Sequence, residues 1–84
     1  MATGREGSSF NAELNRLAGT TGVADQGAAN LYAGTSGVGV LRALNLKADA
    51  NRQPTEYKGL NAICNELAGT SGKSALAALR SIDL

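Results

Sequence analysis

Apolar and polar residues recur along the chain with a period of fifteen residues. The units cover 8–22, 23–37, 38–52, 58–72 and, shortened, 73–84, with a five-residue insertion after the third. Within a unit, apolar residues fall at positions three, seven and ten, and smaller ones at six and eleven. Spacings of three and four are typical of one face of an α-helix. The pattern predicts an all-α chain of about five short helices, each of about ten residues and about 15 Å.

A hexapeptide, Leu/Tyr-Ala-Gly-Thr-Ser/Thr-Gly, ends three of the units. Its first glycine stands where a helix is expected to stop, and glycine readily takes the left-handed conformation of a helix C-cap. The threonine after it is predicted to cap the first amides of the next helix. The structural turn residues of this GT(S/T)G pattern are Gly19, Thr20, Gly34, Thr35, Gly69 and Thr70.

The third unit lacks this turn, because Asp49 stands in place of the glycine. The loop 51–55, which includes the start of the insertion 53–57, is expected to take over its role. Pro54 would break the helix and Thr55 would cap the next one.

Asparagine occupies the eighth position of the first four units. These repeat asparagines are Asn15, Asn30, Asn45 and Asn65. A half-buried amide needs hydrogen-bond partners, so we expect each to bond the turn or backbone of a neighbouring unit. Ligand binding is the alternative role for this set.

Helices this short are marginal in water, so packing must hold them together. We expect a compact array rather than a linear stack, since five such helices in a line would bury little. The sequence therefore predicts a single helical repeat domain over 10–84, preceded by a flexible N-terminal arm over 1–9. Two interpretations of the arm stand: ordinary terminal disorder, or a segment that orders on a partner with Arg5 and Phe10 as anchors.

Composition narrows the function classes. The net charge is +1 with no charged runs, which argues against a dedicated nucleic-acid binder. No apolar run approaches a membrane span or a signal peptide, which favours synthesis in the cytoplasm.

One cysteine and no histidine exclude an internal disulfide and a structural zinc site. With three aromatic residues the core is thin, so a partner protein or a homo-oligomer is expected to stabilise it.

The segment 69–74, Gly-Thr-Ser-Gly-Lys-Ser, invites comparison with a phosphate-binding loop. That motif requires a glycine where this chain has Leu67, and no strand precedes it. Cys64, at a position otherwise occupied by leucine, is interpreted as a core residue. Without histidine, the common nucleophile–base pairs cannot form, and the acids are scattered. We therefore expect neither catalysis nor a cofactor.

Contact with a partner protein is the remaining role for the large apolar side chains. The candidates, besides Arg5 and Phe10, are Leu31, Tyr32 and Tyr57, with Val38, Val40 and Leu41 nearby in sequence. Tyrosine combines large area with a polar tip and is enriched at interfaces. Completion of the intramolecular core is the alternative for each.

The segments 15–22, 27–37 and 60–72 resemble a repeat region of virion structural proteins from tailed bacteriophages of actinobacteria. The resemblance covers nearly all of Phe10 to Leu84. It implies a virion component and brings no catalytic residues with it.

Two functions follow as hypotheses. The first is a capsid accessory protein (decoration or minor capsid) in the virion, bound to the major capsid protein. The second is a tail-associated module that docks on another tail protein or on the host cell envelope. The expected partner is thus the major capsid protein or another virion protein. A general helical adaptor in a cell is a third alternative.

Overall fold

The computed structural model describes residues 8–83. Five α-helices follow one another there: α1 (Phe10–Ala18), α2 (Asp25–Ala33), α3 (Val40–Ala48), α4 (Leu60–Ala68) and α5 (Ala75–Arg80). The first four have nine residues and α5 has six. A single 3-10 turn, Pro54–Glu56, lies in the insertion, and the described residues contain no strand. The predicted all-α fold is confirmed, with one helix per repeat unit.

Left-handed glycines end the helices that precede a Gly-Thr turn. Gly34 closes α2 with φ 75°, and Gly19 and Gly69 close α1 and α4 with φ 74° and 72°. The second glycine of each turn is left-handed too, at Gly22, Gly37 and Gly72. The sequence predicted the left-handed conformation for the first glycine of each turn, but not for the second. Two left-handed residues in one short turn explain why both glycines recur.

The helix N-termini differ from the prediction. The N-cap residues are Ser9, Ala24, Gly39, Gly59 and Ser74, and only the two serines accept a side-chain hydrogen bond there. The assignment of the turn threonines (Thr20, Thr35 and Thr70) as N-caps is wrong. Each threonine lies four residues before the next N-cap, because three more residues of the turn lie between them.

The connection after α3 follows its own geometry. Asp49 ends the helix in an extended conformation, with φ −154°, as a residue other than glycine should. Gln53 caps the 3-10 turn and exchanges hydrogen bonds with Glu56. Thr55 lies inside that turn, so its predicted role as the N-cap of α4 is also wrong.

The helices contact one another in a closed cycle, called here the ring. Each helix packs on its neighbours in sequence, and α1 also packs on α5. The radius of gyration is 11.9 Å, close to the value of about 12 Å expected for a globule of this length. The preference for a compact array over a linear stack is confirmed.

The core is built mainly from positions six, seven and eight of the units. The buried residues at these positions are Glu13, Leu14, Asn15, Ala28, Ala29, Asn30, Ala43, Leu44, Asn45, Ile63, Cys64, Asn65, Ala78 and Leu79. Leu17 at position ten and Ala75 at position three are buried too, as expected, whereas Phe10 and Val40 at position three are half-buried and Leu60 is exposed. The reason is the ring: each helix has a neighbour on both flanks. Residues about 100° either side of position seven are therefore covered as well.

Two residues that were predicted to belong to the N-terminal arm are part of the described fold. Ser9 caps α1, and Ser8 is half-buried and bonded to α1 and α5, although both were assigned to the arm. The remaining arm residues 1–7, including Arg5, lie outside the described residues, as does Leu84.

Candidate functional site

Asn15 links α1 to the first residue of the second unit. Its Nδ2 donates to the carbonyl oxygens of Asn11 at 2.9 Å and Val23 at 2.8 Å. Its Oδ1 accepts from Thr20 Oγ1 at 2.8 Å and from the Val23 amide at 3.0 Å. Both donors and both acceptor sites of the buried amide are therefore used. We call this arrangement an asparagine joint.

The same joint recurs in the ring. Asn30 bonds the carbonyl and amide of Val38 at 2.8 and 3.3 Å, and Asn65 bonds those of Lys73 at 2.7 and 3.2 Å. In both units the turn threonine donates to the asparagine Oδ1, at 2.7 and 2.8 Å. The turn threonine thus points back to its own helix and fixes the asparagine.

Asn45 forms an asparagine joint across the insertion. It bonds the carbonyl and amide of Lys58, thirteen residues ahead rather than eight, at 3.1 and 2.9 Å. Arg52 Nη1 donates to Asn45 Oδ1 at 3.1 Å and takes the place of the threonine hydroxyl. The insertion is accommodated without loss of the joint.

Arg52 and Lys58 also bind Glu66 on α4, at 2.9 and 2.8 Å. Hydrogen bonds from these two side chains hold the pKa of Glu66 below its ordinary value. The pairs lie at the surface, where each contributes little to stability. They nevertheless tie the insertion to the helix that follows it.

A fifth contact closes the ring where α5 meets α1. Arg80 occupies the eighth position of the last unit, and its Nη2 donates to the carbonyl of Ser8, the first residue of the first unit. This reproduces the donor half of the asparagine joint with a longer side chain, since a guanidinium has no acceptor atom. Arg16 crosses the same contact and donates to the Leu79 carbonyl at 2.9 Å.

Glu13 is the charged residue buried at this contact, with 1% of its surface exposed. Its carboxylate accepts hydrogen bonds from Ser8 Oγ and, at 2.8 Å, from Arg16 Nε. The other units carry alanine or isoleucine at the same position. We call Ser8, Glu13, Arg16, Leu79 and Arg80 the seam.

Sequence reasoning missed the seam. Two departures from the repeat could have indicated it: a carboxylate where other units are apolar, and arginine where they have asparagine. Each departure can be seen in the sequence at a single position, Glu13 or Arg80. That the two residues lie near each other depends on the ring, which brings together residues 72 positions apart.

Two equivalent shallow grooves lie beside α1 and α4. The larger, about 570 Å³, is lined by Asn61, Glu66 and the turn 70–72, and the other, about 370 Å³, by the matching residues of the first unit. Residues 70–73, part of the segment that invites comparison with a phosphate loop, line the larger groove. Two of the three hydroxyls of that segment bond within the chain, Thr70 with Asn65 and Ser74 with the Ala77 amide. These two hydroxyls stabilise the fold.

Cys64 lies fully buried in the core. Burial raises the pKa of its thiol to about 11, so the thiolate required of a nucleophile is scarce at neutral pH. Burial also raises the pKa of the half-buried Tyr32 hydroxyl.

The predicted partner contacts occupy different environments. Leu31 has 58% of its surface exposed, and Leu41 has 40%. Tyr32 packs partly against the core and its ring lies 4.7 Å from Lys47 Nζ, while the Tyr57 ring lies 6.0 Å from the Arg42 guanidinium. Among the candidates, the residues that are partly buried against the core are Phe10, Tyr32, Val38 and Val40. The candidates therefore differ in how much of each side chain a partner could reach.

Residues 8–83 contain no group of three or more acidic, cysteine or histidine side chains placed to hold a metal ion. Over the same residues, none of the helices has the length and hydropathy to cross a bilayer.

Comparison of the chain with models of known protein families, with characterised proteins and with solved structures finds no match.

Proposed function

We propose that this chain is a non-enzymatic structural protein of a virion that attaches to the major capsid protein as a decoration or minor capsid protein. Its place of synthesis would be the host cytoplasm and its final location the virion. The resemblance of its repeat to phage virion proteins supports this proposal. So does the use of its buried polar side chains, which hold helices together in asparagine joints.

The observation that carries the proposal is the exposure of Leu31. It stands at position nine of the second unit, where the first and fourth units carry Arg16 and Glu66. The third unit also has a leucine there, Leu46, but that side chain is partly buried, and the fifth unit has Ser81. An apolar side chain that is 58% exposed favours a protein contact.

Leu41 extends this surface to the next helix. Positions four and nine line the same groove in the first and fourth units. Leu31 holds position nine on α2 and Leu41 holds position four on α3, so each leucine lies on the groove side of its own helix, and these two helices pack on each other. We call the two leucines the α2–α3 face. Covering an exposed leucine on a partner would contribute about 1 kcal/mol or more per site.

A contact of this size gives weak binding for a single copy. Binding of many copies to a repeated capsid surface can still be stable. Many modest contacts formed by neighbouring subunits reinforce one another when the partner is itself repeated. The uncharged character of the face agrees with a capsid surface as partner better than with nucleic acid.

Mass spectrometry of purified virion heads, separated from tails, tests the location. We expect this chain in the heads at a copy number comparable with that of the capsid subunits. Its absence from heads, or recovery with tails alone, would instead support the tail-associated function.

A pair of variants tests the face. Leu31→Glu should reduce binding of the purified chain to heads at least about tenfold, the effect of losing about 1.4 kcal/mol. Ala62→Glu introduces the same charge on the exposed surface of α4 and should bind as the unmodified chain does. Equal loss in both variants would contradict the assignment of the α2–α3 face.

A further inference from the structure

The ring has one contact that no turn of the chain spans. In four of the five contacts, α1–α2, α2–α3, α3–α4 and α4–α5, the two helices are directly connected by the chain. In the fifth, the seam, Ser8 meets Arg80 from the other end of the described chain. Opening the seam therefore breaks no turn and no helix.

The seam is a polar contact that holds the buried Glu13 carboxylate and two arginines, Arg16 and Arg80. The Glu13–Arg16 pair lies within α1, so the hydrogen bonds that cross the seam between described residues are donated by arginines to Ser8 and to the Leu79 carbonyl. Charged groups recover hydration when a contact opens, so such bonds are a weak source of stability for it. Apolar residues that pack between the other helices gain no favourable hydration when their contact opens.

The contact between α3 and α4 has the longest connection. Eleven residues, Asp49 to Gly59, separate these helices, against six between α1 and α2. Most of this connection is exposed. Fully extended, eleven residues span about 36 Å, enough to reach a neighbouring molecule.

The seam and this long connection flank the same pair of helices, α4 and α5. From these two features we infer that the α4–α5 pair is exchangeable, and that its partner is a second copy of this chain. In the exchanged dimer, α4 and α5 of one copy complete the ring formed by α1, α2 and α3 of the other.

Each ring in such a dimer regains the contacts between helices that the monomer has. The Arg80 donor meets the Ser8 carbonyl of the other copy. The bonds of Arg52 and Lys58, which belong to the connection, are the ones that rearrange. Only the connection changes conformation, which is the condition under which swapping has a low cost. This inference is independent of the proposed virion role, because it depends on contacts within the chain alone.

Refolding the full chain from denaturant at increasing concentration tests the exchange. Between about 10 µM and about 1 mM we expect the dimer fraction, measured by light scattering after size exclusion, to rise at least about tenfold. The dimer should persist after dilution, since separation requires both contacts to open. Refolding a mixture of isotope-labelled and unlabelled copies should give mixed dimers.

Two chains serve as controls. In the first, residues 49–57 are replaced by Gly-Thr-Ser-Gly, the sequence of 34–37, which restores the fifteen-residue spacing. The second is the unmodified sequence with its ends joined by a peptide bond, so that exchange is blocked. Both should stay monomeric, and the second tests the inference even if the first fails to fold.

Three results would overturn the exchange: no dimer at about 1 mM, a dimer that dissociates at once on dilution, or a persistent dimer in the joined chain. Rapid dissociation would indicate ordinary association through an exposed surface such as the α2–α3 face.

Discussion

The connection from α2 to α3 and the connection from α3 to α4 support the same kind of joint with different sequences. The first has six residues and two left-handed glycines, and the second has eleven residues, a 3-10 turn and no left-handed residue. In the first, Thr35 completes the bonds of Asn30, and in the second Arg52 completes those of Asn45.

The comparison shows which feature both connections share and which feature differs between them. Both connections deliver the amide and carbonyl of the next unit's first residue to a buried asparagine. The joint is thus the common element, and the path of the chain to reach it is variable. The four experiments that follow test this distinction, in order of decreasing expected effect.

Removal of the asparagine should be the most damaging change in both regions. Asn30→Ala and Asn45→Ala each leave a buried amide and carbonyls unpaired and open a small cavity, so we expect each to lower the free energy of unfolding by about 3 kcal/mol. Urea denaturation measures this. Asn51→Ala, at an exposed site in the longer connection, should change little. A loss below about 1 kcal/mol at Asn45 alone would contradict the equivalence of the two joints.

Valine at the helix end should distinguish the two regions. Gly34→Val places a β-branched residue at φ 75°, with no neighbouring atoms within 4 Å of the new Cβ, so the loss comes from the backbone. We expect destabilisation by about 1 to 2 kcal/mol. Asp49→Val, at the matching position with φ −154°, should stay within about 0.5 kcal/mol of the unmodified chain. Equal thermal stability of Gly34→Val and the unmodified chain would refute the role of the left-handed turn.

Loss of the side chain that supports the asparagine should have a smaller effect than loss of the asparagine. Thr35→Val keeps the shape and removes the hydroxyl bonded to Asn30, with an expected loss of about 1 kcal/mol in urea denaturation. Thr35→Ser retains the hydroxyl and should restore most of the loss. Arg52→Ala should lower stability in the same direction. If Thr35→Ser is no better than Thr35→Val, the hydroxyl does not support the joint.

Acid should weaken the longer connection selectively. The lowered pKa of Glu66 means that its carboxylate adds stability above the ordinary glutamate value of about 4.3, and this contribution is lost as pH falls through the lower folded value. Between pH of about 5 and about 3, the urea midpoint of the unmodified chain should fall more than that of Glu66→Gln. The two slopes should converge in about 0.5 M salt, which screens exposed pairs. Parallel slopes at low salt would contradict a contribution from this carboxylate.

Much of the fold was readable because the repeat encodes it locally. Glycine after Ala18, Ala33 and Ala68 marks where helices stop, since few other residues adopt the left-handed conformation. The asparagine role was also predictable, because a recurring amide on a helix that packs needs partners. The threonine role was not, because the choice between the next helix and the previous asparagine depends on the full path of the turn.

The candidate site was less predictable than the fold. Leu31 and Tyr32 adjoin in sequence and were grouped as contacts, yet one is exposed and the other packs against the core. Neighbouring residues on a helix point about 100° apart, and only the positions of α1 and α3 decide which side is covered.

The sequence by itself determined the period and the glycines that end helices, because these depend on residues within one unit or its neighbour. The tertiary structure alone decided that the fifth unit returns to the first. That closure buries Glu13 and sets Arg80 against Ser8. It depends on how all five helices pack on one another, and no single residue of the repeat specifies it.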